Sequence, residues 1–206
     1  MYEYSVMKSE LIQLKPAEFY MKYIVKSYNW YFEEYSNGEN ETVIEKIDTF
    51  KEIVTKNFEI SFHSVQMVGS AKIGFSLSPY KGLREFVKQS LNDNDKVSDI
   101  DLAIVSDSLF DEIWRAMRKH KSTYYMSNYQ RVANSVFLGY INDKDFTDMP
   151  NFNSEIETRI NNTNRELIEE LSIIHPISYR IYRSWEDLEE YQLTSIEKAR
   201  SANCAI

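Results

Sequence analysis

Ser98-Asp99-Ile100-Asp101-Leu102-Ala103-Ile104-Val105-Ser106 is the most apolar run in the chain, and two aspartates stand at its mouth. Its density of apolar and β-branched residues predicts a strand over 99–105. Residues i and i+2 of a strand point to the same face, about 6–7 Å apart. Asp99 and Asp101 therefore stand side by side, while Ile100, Leu102 and Ile104 enter the opposite face. Two like charges held that close are costly unless something positive lies between them. A divalent metal ion is the natural occupant. Upstream, a second apolar run, Val65-Gln66-Met67-Val68, ends abruptly in Gly69-Ser70. It predicts a strand over 61–68 that closes in a tight turn.

Working outward, 206 residues predict a single domain, read as N-terminal helices (1–58), a motif-bearing core (59–120), and further helices with one more core strand (121–206). A hydrophobic fraction of 43% with 14% aromatics is enough for a real core and argues against disorder. Only 5 glycines among so many apolar residues predict few forced turns and much helix. The net charge of −8 argues against a general duplex DNA binder, whose surface would be basic, though not against a nucleotide or a local RNA contact. The single cysteine, Cys204, excludes an internal disulfide framework and fits a reducing compartment. No apolar stretch approaches the roughly 18 residues of a membrane helix, and the first residues lack a signal-peptide layout. The expectation is a cytoplasmic protein with no membrane partner.

Helical spacing of apolar side chains predicts helices over 16–35, 40–57, 107–119, 128–139, 153–174 and 185–201. The first opens at Pro16 and stops at Ser36-Asn37-Gly38. Its Tyr-rich stripe (Tyr20, Tyr23, Tyr28, Tyr31) reads as core, with base stacking as the alternative. The stretch 76–98 reads as irregular, with Asn92-Asp93-Asn94-Asp95 as a loop. Beyond Pro176, the alternating run Ile177-Ser178-Tyr179-Arg180-Ile181-Tyr182-Arg183 predicts a strand over 177–183. It carries Ser178, Arg180 and Tyr182 on one face. Arg180 there reads either as a solvated residue of an exposed strand face or as a contact to a triphosphate or another anionic partner. The basic cluster Arg115, Arg118, Lys119, His120 and Lys121 complements its helix C-terminus, with a nucleic-acid contact as the alternative. His63 and His175 have no metal-spaced partners and read as structural. Trp185 reads as a buried ring anchoring the start of the last helix.

A strand ending in Gly-Ser makes a turn whose backbone N–H groups and hydroxyl can approach phosphate oxygens without a side chain in the way. Lys72, two residues on, could add a positive charge. Alone, Gly-Ser is an ordinary turn and Asp-x-Asp a common loop pair. On two successive strands they are far more specific.

Together, Val68-Gly69-Ser70 and Ser98-Asp99-Ile100-Asp101-Leu102-Ala103-Ile104-Val105 resemble the signature of the DNA-polymerase-β-like nucleotidyltransferase superfamily. The resemblance covers about residues 60–110. It implies an α/β fold with a small mixed sheet of the nucleotidyltransferase type, flanked by N- and C-terminal helices. It implies that Gly69 and Ser70 hold the phosphates of a nucleoside triphosphate, with Lys72 as an auxiliary cation. Asp99 and Asp101 would bind Mg2+ or Mn2+ for in-line phosphoryl displacement. A nucleotidyl group would pass to the hydroxyl of an acceptor (RNA, protein or nucleotide) with release of pyrophosphate. Small members of this superfamily serve in toxin–antitoxin or antiviral defence systems, which implies a possible partner protein.

The chain departs from the family pattern in three places. Residues 76–97 lengthen the segment between the two motifs. Gly74 is followed by Phe75 rather than by a small hydroxyl residue. A third carboxylate, usual on a later core strand, is not located: the strand 177–183 has no acid, and Asp145, Asp148, Glu186 and Asp187 lack a strand setting. The competing expectation is therefore a non-catalytic protein of the same fold that binds a nucleotide, RNA or a partner protein. A plain helical interaction module would leave the paired carboxylates unexplained.

Overall fold

The apolar run around Asp101 forms an interior strand of a four-stranded mixed sheet. The computed structural model describes residues 3–34, 42–88, 97–119, 123–147 and 154–204. In chain order these fold as α1 (Tyr4–Gln13), α2 (Pro16–Phe19), a π-helical turn (Tyr20–Val25), α3 (Trp30–Glu34), α4 (Val43–Phe58), β1 (Val65–Val68), α5 (Gly69–Ile73), β2 (Ile100–Val105), α6 (Asp107–Lys119), α7 (Thr123–Phe137), β3 (Tyr140–Asn142), α8 (Asp143–Thr147), α9 (Ser154–Leu171), β4 (Ile177–Tyr182) and α10 (Trp185–Asn203). The expected loop at Asn92–Asp95, the helix stop at Ser36–Gly38, Asp148, His120 and Lys121 lie outside the described residues.

The sheet runs β1-β2-β4-β3. β1 is antiparallel to β2, with Val68 opposite Asp101. β2 and β4 are parallel, with Asp101 opposite Ser178 and Ala103 opposite Arg180. β3 completes the sheet antiparallel to β4, with Asn142 opposite Arg180. The fold is thus mixed α/β, with helices before and after the sheet in the chain. Among the described residues no helix is long and apolar enough to cross a membrane.

The strand periodicity of two sorts the sheet into an apolar face and a polar one. Ile100, Leu102, Ile104, Tyr179 and Ile181 are all fully buried on one face. Burial of each such side chain is worth about 1.5–3 kcal/mol, so this face fixes the register and leaves Asp99, Asp101 and Arg180 on the other. α4 and α9 cover the apolar face. Tyr179 packs its ring 5.6 Å from that of Phe58 and donates its hydroxyl to Asn164 at 2.7 Å. α4 begins at a capping box, with Thr42 and Glu45 each holding the other's backbone N–H.

Several elements depart from the sequence reading. The helix expected over 16–35 breaks into α2, the π-turn and α3, because donors from the core take its carbonyls. Gln66 reaches the Ile24 oxygen at 2.7 Å and Lys72 the Lys26 oxygen at 2.8 Å, while Asn29 Oδ1 accepts from the Phe32 N–H to start α3. Its aromatic stripe is core all the same: Tyr20, Tyr23, Tyr28 and Tyr31 are buried. The strand expected over 61–68 begins only at Val65, after a 3-10 turn at Phe62–Ser64. α1, β3 and α8 carry too few apolar repeats to stand out in the sequence. β4 is an interior strand, so the reading of its arginines as solvated residues on an exposed face fails for Arg180. It holds for Arg183, which lies exposed against Asp187 at 3.0 Å. Trp185 starts α10 as expected, but it is 45% exposed rather than buried; Ser184 caps the helix by accepting from the Asp187 N–H. His175 is structural, buried between the Tyr31 hydroxyl (2.9 Å) and the Lys88 carbonyl (3.0 Å).

Candidate functional site: a two-aspartate cleft

The polar face of the sheet opens into a cleft of about 570 Å³. Asp99, Asp101 and Arg180 line it together with the Gly69-Ser70 turn, the segment Ser76–Lys81 and residues of α10. Four of the residues singled out in the sequence (Gly69, Ser70, Asp99 and Asp101) thus share one cavity.

The turn and the aspartates meet because β1 and β2 pair with Val68 opposite Asp101. Gly69 adopts φ +67°, a left-handed conformation that favours glycine. Its Cα also lies so close to the Asp101 carboxylate that an added Cβ would collide with it. Ser70 follows on the cleft side, at the start of the short helix α5.

Asp101 is pushed up to about 6, first by burial, then by the negative charge of Asp99; Arg180 and Lys81 pull against this. A cation between the two carboxylates would favour their ionised form. Their oxygens are the hard donors that Mg2+ or Mn2+ takes, and two carboxylates with phosphate oxygens and water suffice for one such ion. Among the described residues no group of three or more His, Cys, Asp and Glu forms a ready-made metal site. Two carboxylates would leave the remaining positions around such an ion to water and ligand oxygens.

Among the described residues no third acid groups with the pair, although Asp187 and Glu190 of α10 also line the cleft. Asp143 lies near enough to raise Asp101, yet both of its oxygens are engaged by the backbone: Oδ2 accepts from the Tyr179 N–H at 3.0 Å and Oδ1 from the Lys144 N–H at 2.7 Å. Asp145 is buried against Arg131 at 2.9 Å. Asp187 lines the cleft but is tied to Arg183 and Ser184 at the start of α10.

Lys72 is placed elsewhere. Burial lowers its ammonium to about 8, and its Nζ donates to the Lys26 carbonyl beside the π-turn, away from the cleft lining. The cleft's cations are instead Lys81, Arg180 and Lys198. Arg180 is the most elaborately held. Its Nε donates to Asn142 Oδ1 at 2.8 Å, and its guanidinium lies 5.2 Å from the Tyr140 ring centre and 4.5 Å from that of Tyr191. Burial works against its charge, while the nearby Asp101 carboxylate favours it, and its pKa stays above the ordinary value. The sequence flagged Arg180 but not its cage, since Tyr140 and Asn142 belong to the unrecognised β3.

Comparison of the chain with protein-family models, with curated proteins and with solved structures found no match.

Proposed function

We propose that the protein is a metal-dependent nucleotidyltransferase. The observation that supports this best is the convergence of the Gly69-Ser70 turn on Asp99 and Asp101 at the start of β2, with the backbone of Gly69 against Asp101. A polyphosphate held at the turn lies beside a divalent ion held by Asp99 and Asp101. The ion, when bound, draws charge from the phosphate oxygens and screens the two carboxylates. The chain's own residues do the rest. Gly69 admits the close approach, Ser70 offers a hydroxyl, and Lys81 adds a positive charge at the mouth. The acceptor's hydroxyl oxygen attacks the α-phosphorus, the bond to the bridging oxygen breaks, pyrophosphate leaves with the electron pair, and the hydroxyl proton passes to solvent. The mixed sheet between N- and C-terminal helices is, in this reading, of the nucleotidyltransferase type.

A second reading, a nucleotide-binding protein of the same fold without transfer, is favoured by one observation. On β4, the strand neighbouring Asp101, the cleft-facing charged side chain is Arg180 rather than an acid.

The test is incubation with each labelled nucleoside triphosphate, Mg2+ or Mn2+, and a pool of cellular RNA and protein, beside Asp99→Asn/Asp101→Asn. Transfer or pyrophosphate release by the wild type alone supports the transferase. Metal-dependent nucleotide binding with neither product supports the second reading. Equal behaviour of the two proteins in both assays overturns both.

A further inference from the structure

Arg180 is a mostly buried cation that makes no direct ion pair among the described residues, although the Asp101 and Asp143 carboxylates lie near enough to act on its charge. Asn142 fixes its Nε, and the Tyr140 and Tyr191 rings hold its plane. Among the described residues no carboxylate forms an ion pair with it, and it lines the cleft. Lys198, exposed on α10, lines the same cleft, likewise without an ion pair among the described residues. A charge withdrawn from water needs a counter-charge, and a guanidinium with a fixed plane is suited to grip two oxygens of a phosphate at once. An aromatic cage with one anchored nitrogen holds it ready before any ligand arrives.

The sheet order assigns this anion to a side. β2 lies between β1 and β4, so Asp101 is flanked by the Gly69-Ser70 turn on one side and by the strand of Arg180 on the other. In an in-line displacement the incoming and departing oxygens lie on opposite sides of the phosphorus. With the donor's phosphates at the turn, the acceptor enters from the side of β4. We propose that Arg180, assisted by Lys198, forms a phosphate subsite for the acceptor, so that the acceptor is itself a phosphate-bearing molecule. The word acceptor rests on the transferase reading; the phosphate subsite rests on the cage.

The test uses inorganic phosphate as the probe, titrated calorimetrically in the presence of a chelator. Wild type binds it saturably, and Asp101→Asn binds it at least as tightly because a repelling charge is gone. Arg180→Gln weakens binding at least tenfold, and Arg180→Lys recovers part of it. Lys198→Gln, at an exposed position with no packing role, weakens binding several-fold with an unchanged melting curve and keeps the test readable if Arg180→Gln misfolds. Absence of binding to wild type, or equal binding by a folded Arg180→Gln variant, overturns the subsite. A second titration is made with Mg2+ and a non-hydrolysable nucleoside triphosphate analogue already bound. Phosphate that still binds places the subsite with the acceptor. Phosphate that is excluded assigns it to the donor and overturns the proposal. If the analogue with Mg2+ fails to bind while phosphate binds, the transferase reading falls and the anion subsite stands.

Discussion

Gly69 and Asp101 lie against each other in the cleft, and each makes a prediction. Gly69→Ala adds a Cβ that meets the Asp101 carboxylate, on a backbone whose φ of +67° already disfavours a side chain. The left-handed conformation alone costs about 1–2 kcal/mol. The variant is expected to melt lower and, because the carboxylate must move, to lose Mg2+-dependent nucleotide binding; a melting curve and a binding titration check this. Asp101 gives the opposite outcome for stability. Its folded value is raised from 3.8 to about 6, so its favourable contribution is full below about pH 4 and is lost as the pH rises through 6. That displacement corresponds to at most about 3 kcal/mol. Without metal, Asp101→Asn should therefore be more stable than wild type at pH 8, with the gap closing toward pH 4 in denaturant titrations. Added Mg2+ should stabilise only the wild type.

At the scale of the element, α4 is the clearest case of a helix set by local chemistry. Thr42→Ala removes one half of the capping box at its start and is expected to cost about 1 kcal/mol by thermal denaturation. β1, β2, β4 and the longer helices were legible because strong apolar patterns of period 2 or 3.6 run through them. The break at Lys26–Asn29 was not, since the groups that take its carbonyls, Gln66 and Lys72, come from far along the chain. The same limit hid part of the site. Asp99, Asp101, Gly69 and Ser70 could be found because each belongs to a motif on one strand or its turn. The three-residue β3 left almost no periodic signal, and with it went Tyr140, Asn142 and Asp143. The role of Arg180 depends on that strand: on an exposed edge it would be an ordinary surface cation, whereas between β2 and β3 it becomes the fixed charge of the cleft.

For the whole molecule, one sheet separates two jobs. Its apolar face holds α4 and α9, and its polar face opens into the cleft. His175, buried far along the chain from its partner Tyr31, makes the fold as a whole sensitive to acid. Burial lowers its pKa below the ordinary 6.5, so the unfolded chain takes the extra proton; stability is full above about pH 6.5 and is lost as the pH falls below it. Urea midpoints measured in Asp101→Asn, where the carboxylate is silent, should decline below that pH. The central claim is that the two aspartates and the glycine turn make one nucleotide-and-metal site. Titration of Mn2+ into the protein with a nucleoside triphosphate, followed by electron paramagnetic resonance, tests it most directly. The account predicts a ternary complex of protein, metal and nucleotide with wild type and its loss in Asp99→Asn/Asp101→Asn. Mn2+ that binds both proteins equally, or neither, would contradict it.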